Sequence, residues 1–96
     1  MFQEKRGFLV MEKRLRQNKF LVDIGDGNAV QRPAVLAVLD AYSGPVKKYV
    51  AYKNQRGEVI DATKGKAVKS VLVMLNGYLV LSNQLHIEVI KNVNGG

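Results

Sequence analysis

The dipeptide Asn76-Gly77 sets the tightest limit on how this chain folds. It lies between two runs, residues 71–75 and 78–82, that are apolar at almost every position. Asn and Gly both tolerate positive φ, so the pair predicts a two-residue hairpin turn of type I′. Such a turn fixes a register with Leu75 opposite Tyr78, Val73 opposite Val80 and Leu72 opposite Leu81. Residues 71–75 carry no polar side chain on either face, which is how a strand buried on both sides reads. Two short helices are the only cover the rest of the chain offers. The missing cover is therefore expected from further copies of the chain, and a homo-oligomer is predicted.

The remaining elements follow from local patterns. Residues 20–24 read as a strand with Phe20, Val22 and Ile24 on one face, and Gly25-Asp26-Gly27-Asn28 reads as a turn. Residues 34–39 form a second apolar strand, with Pro33 where a missing N–H costs least. Ser43 is the expected cap and Pro45 the first-turn residue of a helix that Gly57 stops. Val46, Tyr49 and Val50 mark its inner face, with Tyr49 expected in the core, while Lys47, Lys48 and Asn54 face out. Residues 58–62 return as a short strand, and a Lys64-Gly65 turn leads to residues 68–75. Ser82 or Asn83 then caps a last helix carrying Leu85, Val89, Ile90 and Val93. The expected class is α+β, in the order β-β-α-β-β-β-α, as one small domain over residues 20–96. Residues 1–19 are expected to be a loosely ordered basic extension.

Composition narrows the chemistry. The 96 residues hold one core. There is no Cys, so no disulfide, thiolate metal site or Cys nucleophile. No apolar run reaches the length of a membrane span, and the run Phe8-Leu9-Val10-Met11 is too short for a secretory signal. The lone histidine, His86, reads as a surface or rim residue, and the aspartates Asp23, Asp26, Asp40 and Asp61 are scattered. Gly25-Asp26-Gly27 opens like a dinucleotide fingerprint, but Val30 stands where that motif needs Gly, and a strand follows instead of a helix. No enzyme, cofactor, metal, membrane or small-molecule substrate is expected.

Charge points elsewhere. The net charge is +7, of which residues 1–19 supply +4 and the rest +3. That balance suits a polyanion. Lys64, Lys66 and Lys69 surround Gly65 in one turn, a placement suited to phosphate contact. Lys47 and Lys48 form a second basic spot, and Arg32 is the candidate for insertion into a groove. Tyr42, Tyr49 and Tyr52 are not spaced as a stacking platform.

These residues resemble a known family. From Phe20 to Val93 the chain is similar to the bacterial extracellular matrix regulatory proteins, RemA-like. The matching segments are Ile24-Gly25-Asp26-Gly27-Asn28, Pro45-Val46-Lys47-Lys48, Val59-Ile60-Asp61-Ala62-Thr63-Lys64-Gly65, and the hairpin over residues 70–82. The resemblance implies a LytTR-related domain, a homo-oligomeric ring that binds or wraps double-stranded DNA, activation of biofilm matrix genes, and a cytoplasmic, nucleoid-associated location. The family pattern has two adjacent arginines after the second motif's glycine and a further basic residue soon after. Here those positions hold Lys66, Ala67 and Lys69, and Ala34 stands at the family's basic position after the first motif, two residues beyond Arg32. Phosphate attraction by lysine is then the expected mode. The rival expectations are an RNA-binding module of ribosomal or chaperone type and a protein adaptor.

Overall fold

A computed structural model describes residues 20–95, so the expected basic extension over residues 1–19 lies outside the described residues. Six strands, two helices and a 3-10 turn follow in order: β1 (Leu21–Gly25), β2 (Asn28–Gln31), the turn Arg32–Ala34, β3 (Val35–Asp40), α1 (Gly44–Gln55), β4 (Val59–Asp61), β5 (Ser70–Met74), β6 (Leu79–Ser82) and α2 (His86–Val93). The α+β class is as expected. The additional element is β2, a four-residue strand too short to show a hydrophobic period, which pairs with β1 as a hairpin.

β3, β5, β6 and β4 form one sheet in that spatial order. β5 runs antiparallel to both neighbours and β4 runs parallel to β6. β3 and β4 therefore point the same way at opposite edges, so α1 must cross a whole face to join them. The alternation of the central strands then builds two core clusters, one on each face of the sheet, where one core was expected. Val71, Leu79 and Leu81, with Ala41, form the core beneath α1, where Val46 and Val50 pack. Leu72 and Val80 join Val22 and Ile24 of β1 and Val89 of α2 on the other face.

This arrangement corrects the expectation that β5 needs further copies of the chain for cover. The β1–β2 hairpin is a third cover, and with α1 and α2 it fully buries Ser70, Val71 and Leu72 of β5 within one chain, while Val73 and Met74 stay half-buried. What stays open is the rim. Leu36 of β3 is 65% exposed, Ile60 of β4 51% and Leu75 at the hairpin tip 64%. Leu36 is the extra residue of a bulge, lying between the pairs Val35↔Met74 and Ala37↔Val73.

The hairpin register also differs by one residue from expectation. Val73 faces Leu79, Leu72 faces Val80 and Val71 faces Leu81. The loop is Leu75-Asn76-Gly77: the Gly77 N–H donates to Met74 O at 3.0 Å and the Met74 N–H to Tyr78 O at 2.9 Å. Only Gly77 has positive φ, at 88°. The Asn76 carboxamide oxygen accepts the Tyr78 N–H at 3.0 Å, which favours a three-residue loop with a left-handed glycine.

Helix ends divide between expectation and correction. α1 stops as expected at Gly57, φ 70°, with the Glu58 N–H on Lys53 O and the Gly57 N–H on Asn54 O, a Schellman closure. Ser43 holds the N-cap position, but its hydroxyl makes no capping bond. α2 starts later than expected, after Leu85. Ser82 belongs to β6, and its hydroxyl donates to Ile24 O at 2.7 Å and accepts the Gln84 N–H at 3.0 Å. A side chain engaged in joining the hairpin to the sheet is not free to cap a helix. Tyr49 is not in the core: it is 38% exposed, because Val46 and Val50 alone fill the space beneath α1.

Candidate nucleic-acid interface

Two turns of the same type lie side by side at one end of the molecule. In the first, Asp26 (φ 56°) and Gly27 (φ 79°) join Gly25 to Asn28. In the second, Lys64 (φ 54°) and Gly65 (φ 83°) lie between Thr63 and Lys66, closed by the Lys66 N–H on Thr63 O at 3.1 Å. Paired positive φ values define type I′ turns, so that geometry falls on Asp26-Gly27 and Lys64-Gly65 and not on Asn76-Gly77.

Each turn is braced by an aspartate. The Asp23 carboxylate accepts the Gly25 N–H at 2.8 Å. Asp61 accepts the Thr63 hydroxyl at 2.6 Å and the Thr63 N–H at 2.9 Å. The hydroxyl bond first, and then the backbone bond, hold the Asp61 carboxyl below its ordinary range. Thr63 is buried, so the segment Asp61-Ala62-Thr63 anchors the basic tip that follows.

The turns also hold each other. Asn28 Nδ2 donates to Ala62 O at 3.1 Å, and Lys66 Nζ meets Asp26 Oδ1 at 2.6 Å. Lys64 Nζ lies 3.9 Å from where a Cβ on Gly27 would stand. Residues 67–69 are tied to the end of β6: Asn83 Nδ2 donates to Ala67 O at 2.6 Å, and the Lys69 N–H donates to Ser82 O at 2.9 Å. Lys64 and Lys66 are exposed and Lys69 is half-buried. Lys66 is partly neutralised by Asp26, whereas Lys64 and Lys69 make no ion pair among the described residues.

The other expected residues are placed differently. Lys47 and Tyr42 line an apolar groove of about 340 Å³ that Val68, from the segment between Lys66 and Lys69, also lines. Lys48 is exposed on α1. Arg32 follows β2 at the far end of the hairpin from Asp26-Gly27, and its N–H donates to Phe20 O. A four-residue strand spans about 13 Å, so Arg32 does not join the turn cluster. His86 is half-exposed at the start of α2. The residues missed from sequence are Asp26 and Asn28 as partners of the basic turn. They lie 40 and 34 residues from their contacts, and no local pattern announces them.

Gly25 is the most closely packed of the described glycines. Its φ is 90°, and an added Cβ would come within 3.1 Å of Gln84 Cγ. Gly25→Ala is expected to cost about 1–3 kcal/mol from backbone strain and crowding. Gly44 has open space around it, so Gly44→Ala is expected to melt with the wild type. Thermal melts of the two variants check the contrast, and equal melting would count against a tight fit at Gly25.

Among the described residues there is no group of three or more His, Asp or Glu side chains placed to hold a metal ion, and no helix is long and apolar enough to cross a membrane. The molecule is a small basic α+β domain with two I′ turns at one end, one carrying Lys64 and the other the Asp26 that pairs with Lys66. Its sequence matches the model of the family described as extracellular matrix regulatory protein A-like, RemA-like, over residues 21–92, and the chain belongs to that family. It is 40% identical over 77 residues to a protein of Dictyoglomus thermophilum, covering 79% of this chain and 89% of that one. A protein of Desulfosudis oleivorans is 36% identical over 73 residues, covering 76% and 74% respectively. A Synechococcus protein is 36% identical over 62 residues, covering 65% and 70%. All three carry the name "Putative regulatory protein".

Proposed function

We propose that this protein is a non-enzymatic transcriptional regulator that binds duplex DNA through phosphate contacts as a homo-oligomeric ring. The observation that carries the reading is the braced pair of I′ turns that places Lys64, Lys66 and Lys69 in one basic segment. Family membership and the relatives' regulatory names support it. Lysine meets phosphate as a point charge and reads no base edge alone, so the binding is nearly independent of sequence and works by neutralising and bending the duplex. Arg32, at the far end of the hairpin, contributes to a wider path for the backbone.

Assembly multiplies these contacts. Each subunit offers only a few, and avidity around a closed oligomer turns weak contacts into tight binding. The apolar residues at opposite sheet edges, Leu36 and Ile60, favour head-to-tail association, which closes into a ring when the rotation between copies divides the circle. The targets in this reading include matrix genes, in keeping with the family's description as extracellular matrix regulatory protein A-like.

Size exclusion with light scattering, with and without mixed-sequence duplex DNA, tests the reading. The expected mass is several times 10.7 kDa, rising with DNA at low salt and recovering at high salt. A 10.7 kDa monomer unaffected by DNA would overturn it.

A further inference from the structure

α1 is unusual for a helix that covers a sheet. None of its twelve residues is buried, and its packing on the core comes from Val46 and Val50. From Gly44 to Arg56 there are four basic residues (Lys47, Lys48, Lys53 and Arg56) and no acidic one. Spacing along the sequence did not mark the tyrosines as a stacking platform, but Tyr49 and Tyr52, three residues apart and so neighbours on the helix surface, are 38% and 55% exposed in the fold. Each ring has its own cation: Lys53 Nζ lies 5.9 Å from the Tyr49 ring centre, and the Arg56 guanidinium 5.8 Å from that of Tyr52. Glu58 holds both cations in place, at 3.4 Å from Lys53 Nζ and 2.8 Å from Arg56 Nε. Lys47 and Lys48 make no ion pair among the described residues.

We infer that α1 is a second nucleic-acid-binding element, on which Tyr49 and Tyr52 stack with unpaired bases of a single strand while the surrounding cations neutralise its phosphates. Exposed rings set among fixed positive charges are the two components that sequence-independent single-strand binding needs. A duplex keeps its bases stacked on each other and offers no base face to rings lying on a helix. A protein or lipid partner would use the rings, but the unpaired Lys47 and Lys48, with the positive charge that Lys53 and Arg56 keep after Glu58 is paired, favour an extended polyanion. The inference goes beyond duplex binding by the Lys64–Lys69 segment and does not depend on it.

Fluorescence anisotropy with labelled oligothymidylate, oligouridylate and a mixed-sequence duplex tests it on the full chain. The variants are Tyr49→Ala/Tyr52→Ala, Tyr49→Phe/Tyr52→Phe, and Lys64→Glu/Lys66→Glu/Lys69→Glu. The alanine pair is expected to weaken single-strand binding by about tenfold per ring and to leave duplex binding within about twofold. The phenylalanine pair keeps the rings and is expected to bind like the wild type. The glutamate variant is expected to lose duplex binding and keep most single-strand binding; whichever strand binds tighter identifies DNA or RNA as the source. Unchanged single-strand affinity in the alanine pair would overturn the inference. So would equal weakening on duplex and single strand, or a changed solution mass, which would make the rings a subunit contact.

Discussion

Replacing Lys64, Lys66 and Lys69 together by Glu is expected to abolish duplex binding at moderate salt. Each subunit then changes by six charges at the tip where the two turns meet. The salt dependence carries the diagnostic information. Each phosphate that is no longer neutralised lowers the slope of log affinity against log salt by about 0.9, so removing three lysines flattens it by about 2.7 per bound subunit. The weakening should be nearly the same for duplexes of different sequence, because lysine on phosphate carries no base information. Lys66 needs its own control. It is held by Asp26 at 2.6 Å, so a glutamate there also sets two carboxylates against each other and strains the turn. Asp26→Asn releases Lys66 and removes one negative charge from the tip, and is expected to strengthen duplex binding modestly. Filter binding or anisotropy over a salt series, on variants whose solution mass is unchanged, reads both results. Undiminished affinity in the triple variant would remove the basic tip from the binding surface.

Leu72→Ala is expected to be the most damaging single truncation among the described strands. Leu72 is fully buried at the centre of β5, opposite Val80 and packed with Val22, Ile24 and Val89. Removing three carbons there leaves a cavity bounded by two strands, the β1–β2 hairpin and α2, none of which can collapse freely. Such a change costs about 2–5 kcal/mol, against the roughly 4–11 kcal/mol that a domain of this size commands. Leu36→Ala, at an exposed bulge, is expected to fall within about 0.5 kcal/mol in the isolated chain. Urea unfolding at several protein concentrations separates the two cases. Concentration dependence present in the wild type and lost in Leu36→Ala would identify that edge as a subunit contact, since association adds to apparent stability by mass action. A small effect at Leu72 would mean that β5 is not covered by its own chain in solution.

The candidate site was half legible. Lys64, Lys66 and Lys69 stand out because a glycine and three lysines fall within six residues, and their turn is formed by its own backbone. Asp26 and Asn28 did not stand out, because their contacts cross from the first hairpin to the second turn. Tyr49 followed helical spacing towards the interior, yet two valines already filled the space there. Periodicity identifies which side of a helix faces inward but not how wide the buried stripe is.

The same division runs through the whole fold. The sequence by itself determined the α+β class, the end of α1 at Gly57, the positions of the turns and the apolar centre of the sheet. Each of these depends on residues within a few positions of one another: φ preferences, a Schellman closure, alternation along a strand. The tertiary structure decided which glycine dipeptides became type I′ turns, the one-residue register of β5 against β6, the presence of β2, and the use of Ser82 as a tie to Ile24 in place of a helix cap. Each of those involves residues in different segments of the chain, which local preferences do not couple. They were settled by hydrogen bonds and packing between segments that meet only in the folded chain.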